Sequence, residues 1–404
     1  MRRAWEAWDR FFFRAGTARV LGLHRIVFGL IVLYSFAFLA KDVTTFFSDD
    51  GLLTSASSAQ VFGANYVTVL DWLRGPWGVR AALAAVFVSA ACFTVGFQTR
   101  TSTAVLLVLV VSFHVRNFYV LQGGDTVIRT MLFFFLFAPA GAAFSVDSLR
   151  RRLRSPGGVP AEVRVPPWAQ RMIQIQVALI YLTASYGKLL RDRYWDGTAM
   201  YYMLGRLDIH MSGLEQLMNY PAVYTAMTVA AIVMELPLPF LLWFRATRPY
   251  ASLLGVALHA WIMVFMVIPV FGIIMMTSYV AFAAEADLHR AVARMRRGAA
   301  RRRGRLLVDT ASREGARWGR LIPILDVLGR VDIEEASRRA DPGVAVPALR
   351  LLTPDGKTRD GLSALLWLCP RLLAVFRVIP ALYLPGSASM AEEAVSGGKA
   401  HPPA

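Results

Sequence analysis

The stretch Ile180-Tyr-Leu-Thr-Ala-Ser-Tyr-Gly-Lys-Leu-Leu-Arg-Asp-Arg-Tyr-Trp-Asp-Gly197 ends a long apolar segment and becomes polar at Arg191, as a membrane helix does where it leaves the lipid. It carries one lysine, Lys188, close to that end. An ammonium group in lipid is costly, so an ionisable residue at membrane depth indicates a functional site. Alternatively, a lysine this close to a helix end extends to the headgroups and only anchors the span. Position alone favours the anchoring role.

The composition predicts a polytopic membrane protein. Of 404 residues, 56% are hydrophobic, and the mean hydropathy of +0.46 is higher than soluble globular proteins of this size normally reach. The N-terminus has no short apolar core followed by a cleavage site, so we expect no removable signal peptide. Residues 1–19 instead alternate tryptophan and phenylalanine with arginine, a pattern typical of an amphipathic helix at the membrane interface.

Apolar segments long enough to cross ~30 Å of hydrocarbon follow one another along the chain. We expect eight transmembrane helices, at about residues 20–40, 79–97, 103–121, 127–145, 168–190, 222–244, 250–268 and 270–285. The last two meet at Pro269 and could instead form one broken element. The predicted fold is therefore an all-α polytopic membrane helical bundle.

The net charge of +17 comes largely from arginines that lie beside the apolar segments. This placement is typical of cytoplasmic loops that face anionic headgroups, so we expect no nucleic-acid partner. With eight spans the basic loops fall on one side, which predicts cytoplasmic N- and C-termini and places Lys188 toward the outer face. The two cysteines, Cys92 and Cys369, form no CxxC motif, and we expect no structural disulfide.

Polar residues occur where one predicted span ends and the next begins. Arg116 and Asn117 lie near the end of the predicted span 103–121. Gln122-Gly-Gly-Asp125 and Arg129 lie at the start of the next predicted span, 127–145. Glycines permit a tight re-entry, and the two arginines could neutralise Asp125 away from water. This group is either a ligand site or a loop salt bridge that fixes two helices.

Glu235 and His259 lie at the centres of their spans. An acid at such a depth must face the bundle interior, and two nearby prolines loosen the backbone beside Glu235. Glu235 could pair with Lys188, His259 or Arg129, and the sequence does not choose among them. His259 is either a site residue or a neutral side chain bonded to a helix carbonyl or hydroxyl group.

Aromatic side chains, among them Tyr181 and Trp195, flank Lys188 in the sequence. They could line the pocket of a flat apolar ligand, or they could pack the bundle and anchor it at the interface. The sequence contains no HExxH motif, metal-spaced His/Cys/Asp set, phosphate-binding glycine loop or Gly-x-Ser-x-Gly elbow. We therefore expect no metal, and chemistry that comes from an amine base.

The motif Tyr181-x5-Gly-Lys-Leu, followed by Trp195-x-Gly, is similar to a known family. It resembles the region around the catalytic lysine of the vitamin K-dependent γ-carboxylases. It also resembles the corresponding region of their bacterial relatives, the horizontally transferred transmembrane (HTTM) domain proteins. The resemblance implies an HTTM or γ-carboxylase-like transmembrane domain over residues 20–290.

Three further motifs resemble HTTM sequences: His24-Arg25-Ile-Val-Phe-Gly29, the Arg-Asn…Gly-Gly-Asp…Arg run that starts at Arg116, and Phe144-Ser-Val-Asp147. The carboxylases carry an Asn-His-Ser sequence where this chain has Gly123-Gly124-Asp125, so the histidine of that sequence is absent here.

The resemblance implies an enzyme of the bacterial inner membrane with carboxylase or epoxidase chemistry, a lyase of the vitamin K-dependent type. Lys188 would act as the base on a vitamin K hydroquinone or menaquinol-like ligand, with O2 and CO2, and His259 would be a second catalytic residue. An amine acts as a base only when it is neutral, a state that burial favours. The residues that would contact ligand or a peptide or lipid substrate are Arg116, Asn117, Asp125, Arg129, Tyr181, Trp195 and Glu235.

The composition changes after Gly304. Residues 304–386 resemble a degenerate DCC-type thiol–disulphide oxidoreductase-like domain, of α/β thioredoxin-like fold, which some HTTM proteins carry. Those domains have Asp-Gly-x-Cys-x-x-Cys where this chain has Asp309-Thr-Ala-Ser-Arg-Glu-Gly315, so we expect no thiol exchange. Residues 387–404 are predicted to be a disordered tail.

Two functions of different classes follow from the sequence. One is the quinol-dependent membrane enzyme, with membrane lipid or quinone and a peptide as partners. The other is a non-catalytic membrane scaffold or partner-binding protein, with the cysteine-less C-terminal domain as an interaction module. A transporter is disfavoured because no internal repeat occurs. The sequence does not determine the oligomeric state.

Overall fold

The computed structural model describes residues 1–63, 66–154, 163–205, 216, 219–266, 268–299, 303–326, 330–335 and 347–368. The chain forms two compact units. Residues 1–148 and 161–284 make up the first, and residues 149–160 and 285–404 make up the second.

The chain up to Ser278 is mainly helical. Its helices are α1 (Arg2–Phe12), α2 (Arg19–Ala40), α3 (Val43–Phe47), α4 (Ser55–Phe62), α5 (Pro76–Val95), α6 (Thr99–Arg116), α7 (Gly123–Phe137), α8 (Val146–Arg154), α9 (Trp168–Leu189), α10 (Asp192–Trp195), α11 (Ala199–Leu204), α12 (Pro221–Glu235), α13 (Leu238–Leu241), α14 (Arg248–Phe265) and α15 (Pro269–Ser278). A 3-10 turn, Tyr279–Phe282, follows α15. Strands β1 (Gly16–Thr17) and β2 (Arg164–Val165) pair antiparallel, with Gly16 opposite Val165.

Each of the eight segments that the sequence predicts to be a span contains a helix, namely α2, α5, α6, α7, α9, α12, α14 and α15. Among the described residues, three helical segments are long and apolar enough to cross a membrane: Arg19–Ala40, Pro76–Val95 and Pro221–Leu241. The number rises to four if a bent helix pair that starts at Pro269 counts as one span. The predicted helical membrane protein is therefore confirmed, and the count of eight spans stays a prediction.

The core of the first unit forms where α2, α5 and α6 pack together, with α7 against α6, α15 against α2, and α9 against α7. Phenylalanine side chains fill its centre, and those that are fully buried include Phe28, Phe36, Phe93, Phe113 and Phe135. A Cβ atom at Gly29 would overlap the Thr94 hydroxyl group, so a glycine is needed for the close approach of α2 to α5.

Two of the motifs that resemble HTTM sequences lie at the same junction of helices. The Arg25 guanidinium is fully buried and donates to the carbonyls of Ala140, at 2.8 Å, and Phe144. Asp147 accepts from the backbone N–H groups of Gln98 and Thr99, at 2.9 and 2.8 Å. These bonds satisfy backbone groups in the turn after α7 and at the start of α6, and they fix both helices relative to α2.

The second unit contains α16 (Glu285–Ala299), β3 (Gly304–Val308), α17 (Arg313–Leu325), β4 (Val331–Glu335), β5 (Leu349–Leu352), β6 (Thr358–Asp360) and α18 (Gly361–Leu368). The sheet has the order β4-β3-β5-β6, in which β3 and β4 are parallel and the other pairs antiparallel. Leu306, Val308, Ile322, Leu349 and Leu351 form its buried core. The sequence did not predict β4. The predicted tail, 387–404, lies outside the described residues.

Candidate functional site

Lys188 belongs to a polar face of α9. Tyr181, Ser185 and Lys188 are spaced by four and three residues, so a helix of 3.6 residues per turn places them on the same side. Tyr181 and Ser185 are fully or almost fully buried, which shows that this side faces the bundle interior. The sequence predicted a site role for Tyr181 but not for Ser185. The spacing could have shown it, because Ser185 lies three residues before Lys188 and therefore on the same face of α9.

Lys188 forms an ion pair with Glu235, its Nζ atom donating to Oε2 of the carboxylate. Their side chains are 21% and 12% exposed. Side chains in a helix lean toward its N-terminus, so Lys188 at the end of α9 reaches back toward the bundle. Of the three partners that the sequence left open for Glu235, the structure selects Lys188.

The position of Glu235 follows from the prolines after it. Pro237 and Pro239 have no N–H group, so the carbonyls of Val233 and Glu235 lack the donor that a helix normally provides four residues later. The helix α12 therefore ends at Glu235, and α13 begins three residues on. The acid lies at a helix break that packs against α9.

A chain of three buried polar groups lies next to the ion pair. The Tyr181 hydroxyl is 2.7 Å from His259 Nε2, and it also hydrogen-bonds to the Tyr279 hydroxyl. Tyr279 comes from the turn after α15 and carried no signal in the sequence. A Cβ atom at Gly255, one turn before His259 on α14, would overlap the Tyr279 hydroxyl, so this glycine makes room for the chain.

The ion pair and the hydroxyl chain form one site. Glu235 lies within electrostatic reach of Tyr181 and Tyr279, and Lys188 lies within reach of His259. Two buried polar atoms beside them, Ser185 Oγ and His259 Nδ1, have no hydrogen-bond partner among the residues that the structure describes. Buried polar groups are nearly always paired in proteins, so these two atoms are available to a polar ligand.

A second cluster lies at the junction of α6 and α7. Asp125 caps α7 by accepting from the N–H group of Gln122 at 2.7 Å, and its other oxygen is 3.6 Å from Nε2 of the buried His114. Of the two arginines that the sequence placed near Asp125, Arg116 binds Asp49 instead, whereas Arg129 donates to Thr126 Oγ1 at 3.2 Å and its charge acts on Asp125. The sequence assigned no role to His114.

Arg116 and Asn117 fix the segment that follows α2. Arg116 donates to Asp49 at 2.7 Å and to Ser58 Oγ at 3.1 Å, and Asn117 donates to the carbonyl of Phe46 at 2.9 Å. Partial burial would raise the pKa of Asp49, but hydrogen bonds from Ser55 and the Arg116 charge outweigh it and lower that pKa below its usual value. These contacts match the loop salt bridge, one of the two roles that the sequence left open.

The candidate site therefore unites Lys188, Glu235, Tyr181 and His259 and leaves the other predicted residues apart. Phe271 stands between the two clusters, with its backbone against Gly124 and its ring 5.5 Å from the His259 ring. Trp195 is exposed and donates to the carbonyl of Leu189 at 2.8 Å, so it caps the end of α9. No hydrogen bond or ion pair joins the clusters in the part of the chain that the structure describes.

The family model of the HTTM domain matches residues 13–286, a range that contains both clusters. A search of curated proteins and a search of solved structures gave no match.

Proposed function

The chain belongs to the HTTM domain family, and from this premise we propose that it is a membrane enzyme in which Lys188 acts as a general base on a quinol-type ligand. The substrate class would be a peptide or a lipid. The observation that supports this proposal best is the position of Lys188, which is paired with Glu235 next to the Tyr181 and His259 chain rather than extended toward solvent. That position argues against the anchoring role.

The residues of the site fit a quinol. A ring with hydroxyl groups needs polar partners in an apolar pocket, and Ser185 Oγ and His259 Nδ1 are buried polar atoms without a partner in the described part of the chain. Tyr181 and Phe271 would provide aromatic contacts, and Lys188 would take a proton from a ligand hydroxyl. When bound, a vitamin K hydroquinone or menaquinol-like ligand would supply redox chemistry with O2 and CO2, as the family resemblance implies.

Substitution of Lys188 tests the proposal. Lys188→Arg keeps the charge but cannot lose a proton, and Lys188→Met keeps the bulk without the base, so both should lower quinol turnover by at least about 100-fold. Turnover is measured in membranes that contain equal amounts of each protein. Tyr186→Phe, on the exposed side of α9, is the matched control and should keep full activity. Full turnover in Lys188→Arg would contradict base catalysis.

The alternative function is a non-catalytic scaffold or partner-binding protein. It is favoured by the two ion pairs, Arg116–Asp49 and Lys188–Glu235, which could serve only to hold helices together. A scaffold needs the charge of Lys188 and not its basicity, so Lys188→Arg would retain its phenotype. The same pair of variants therefore separates the two functions.

We also propose eight spans with both termini in the cytoplasm of a bacterial inner membrane, and a thioredoxin-like C-terminal domain that does not exchange thiols. The helix in each predicted span and the basic loops support the first proposal. For the second, the support is a parallel β3-α17-β4 unit followed by the β5–β6 hairpin and α18. The positions of the two family cysteines are Ser312 and Gly315 if the motif starts at Asp309.

A further inference from the structure

The ion pair creates a difficulty for a lysine that must act as a base. An ammonium group held by a carboxylate keeps its proton, and a protonated amine cannot take another. Both side chains are mostly withdrawn from solvent, and the Glu235 carboxylate contacts Nζ directly. For Lys188 to act as a base within a reaction cycle, its proton therefore needs an acceptor in direct contact with it.

We propose that Glu235 is this acceptor and that it controls the protonation of Lys188. The Nζ–H bond of the ammonium breaks, an O–H bond forms on Oε2 of Glu235, and the electron pair of the broken bond stays on Nζ. The pair carries no net charge before or after the transfer, so the free amine forms without leaving an isolated charge in the apolar bundle. This inference rests on the proposed function of Lys188.

The other ionisable groups that face the pair do not provide a better acceptor. Four groups within its electrostatic reach are Tyr181 on α9, Tyr194 on α10, His259 on α14 and Tyr279 after α15. Tyrosine hydroxyls are already protonated at neutral pH. His259 Nε2 is occupied by its hydrogen bond to Tyr181, and no direct contact joins it to Lys188 among the described residues.

Three arginines on neighbouring elements bind other groups. Arg129 of α7 bonds to Thr126, and Arg248 of α14 donates to backbone carbonyls after α13. Arg193 of α10 stacks on the Tyr202 ring at 3.8 Å. The segments α13 and α15 carry no ionisable side chain. Within the described residues, Glu235 is the carboxylate that contacts Lys188.

The test uses the reactivity of Lys188 itself and needs no ligand. Only a neutral amine reacts with an acylating reagent such as acetic anhydride, and the chain has four lysines, Lys41, Lys188, Lys357 and Lys399. Peptide mass spectrometry of the full-length protein in membranes gives the acylation rate of Lys188 relative to exposed Lys357 in the same molecule. The variants are Glu235→Gln and, as the matched control, Asp192→Asn, which removes an exposed acid four residues after Lys188.

Glu235→Gln should raise the relative acylation rate of Lys188 at neutral pH by roughly tenfold or more, because an unpaired ammonium inside the bundle is unstable. Asp192→Asn should leave the rate unchanged. An unchanged rate in Glu235→Gln, or an equal rise in Asp192→Asn, would overturn the proposal. If Glu235→Gln does not accumulate in membranes, Glu235→Asp is used in its place. Its carboxylate is withdrawn by one methylene, so the acylation rate of Lys188 should rise above the wild-type rate by less than is expected for Glu235→Gln, and an unchanged rate would overturn the proposal.

The outcome is separate from that of the turnover experiment. If Lys188→Arg abolishes turnover and Glu235→Gln leaves the acylation rate of Lys188 unchanged, Lys188 remains the base and the proposed role of Glu235 is wrong. If Glu235→Gln raises the acylation rate of Lys188 but Lys188→Arg keeps full turnover, Glu235 controls the protonation of Lys188 and base catalysis is wrong.

Discussion

At the scale of single residues, the pair of Arg116 and Asp49 shows how the structure uses a charge at a helix end. Arg116 is fully buried, and Asp49 is 32% exposed. Ser58 both accepts from the guanidinium and donates to the Arg116 carbonyl at 2.6 Å. A buried guanidinium with one carboxylate partner depends strongly on that partner.

Asp49→Asn should therefore destabilise the protein by about 1–3 kcal/mol, less than for a fully buried pair because Asp49 is partly exposed. The pKa of Asp49 is below its usual value of 3.8, so its contribution is complete at a pH above 3.8 and disappears as the pH falls through the lower value of the folded state. Thermal unfolding of the purified protein across this pH range measures the effect.

Asp50→Asn is the control, because Asp50 is the exposed acid next in the chain. It should leave the unfolding temperature unchanged. Equal unfolding temperatures for wild type and Asp49→Asn at neutral pH would show that the pair contributes nothing to stability.

At the scale of elements, the contact between α14 and the turn after α15 depends on a glycine, which has no side chain. Gly255 lies against the Tyr279 hydroxyl, which hydrogen-bonds to Tyr181 on α9. Three elements thus meet at a position where a methyl group has no room. In a close-packed interior such a group must displace its neighbour.

Gly255→Ala should lower stability by about 1–3 kcal/mol through overpacking and should break the bond between Tyr279 and Tyr181. Gly187→Ala is the matched control, because a Cβ atom there meets no atom of the described residues within 4 Å, and alanine is the better helix former. Adding Tyr279→Phe to Gly255→Ala removes the clashing hydroxyl and should restore part of the loss. Unfolding temperatures of the four proteins give the answer, and an equal effect of the two glycine substitutions would refute the clash.

At the scale of the whole molecule, the number of spans determines on which side Lys188 lies. The segments that contain α2, α5 and α12 are long and apolar enough to cross a membrane by themselves. Others, such as α7 with 15 residues and α15 with 10, are short for a span that crosses ~30 Å. The prediction of an even number of spans rests on the basic loops, which then all lie on one side of the membrane.

Reporter fusions at Gly51 and Asp196 should give an external signal, and fusions at Arg245 and Arg303 an internal one, because eight spans return each basic loop to the cytoplasm. A pair of reporters with opposite compartment requirements, one active outside and one active inside, measures this. An internal signal at Asp196 would contradict the count and would move Lys188 to the cytoplasmic side.

The sequence by itself determined the helical membrane character, the approximate place of the helix in each predicted span and the HTTM family. Hydrophobic runs are local, so a stretch such as residues 168–190 predicts its helix without knowledge of its neighbours. The same reasoning predicted that Glu235 faces the interior, since an acid has no stable place against lipid. It did not predict β4, whose residues Val331–Glu335 include three acids.

Only the tertiary structure decided which polar groups meet. Lys188 and Glu235 are 47 residues apart, and Arg116 and Asp49 are 67 apart. Nothing in the sequence separates the pairing of Glu235 with Lys188 from a pairing with Arg129, because each is an acid with a base. The choice depends on the packing of α9 against the end of α12, and that packing is set by side-chain shapes along whole helices rather than by any local pattern.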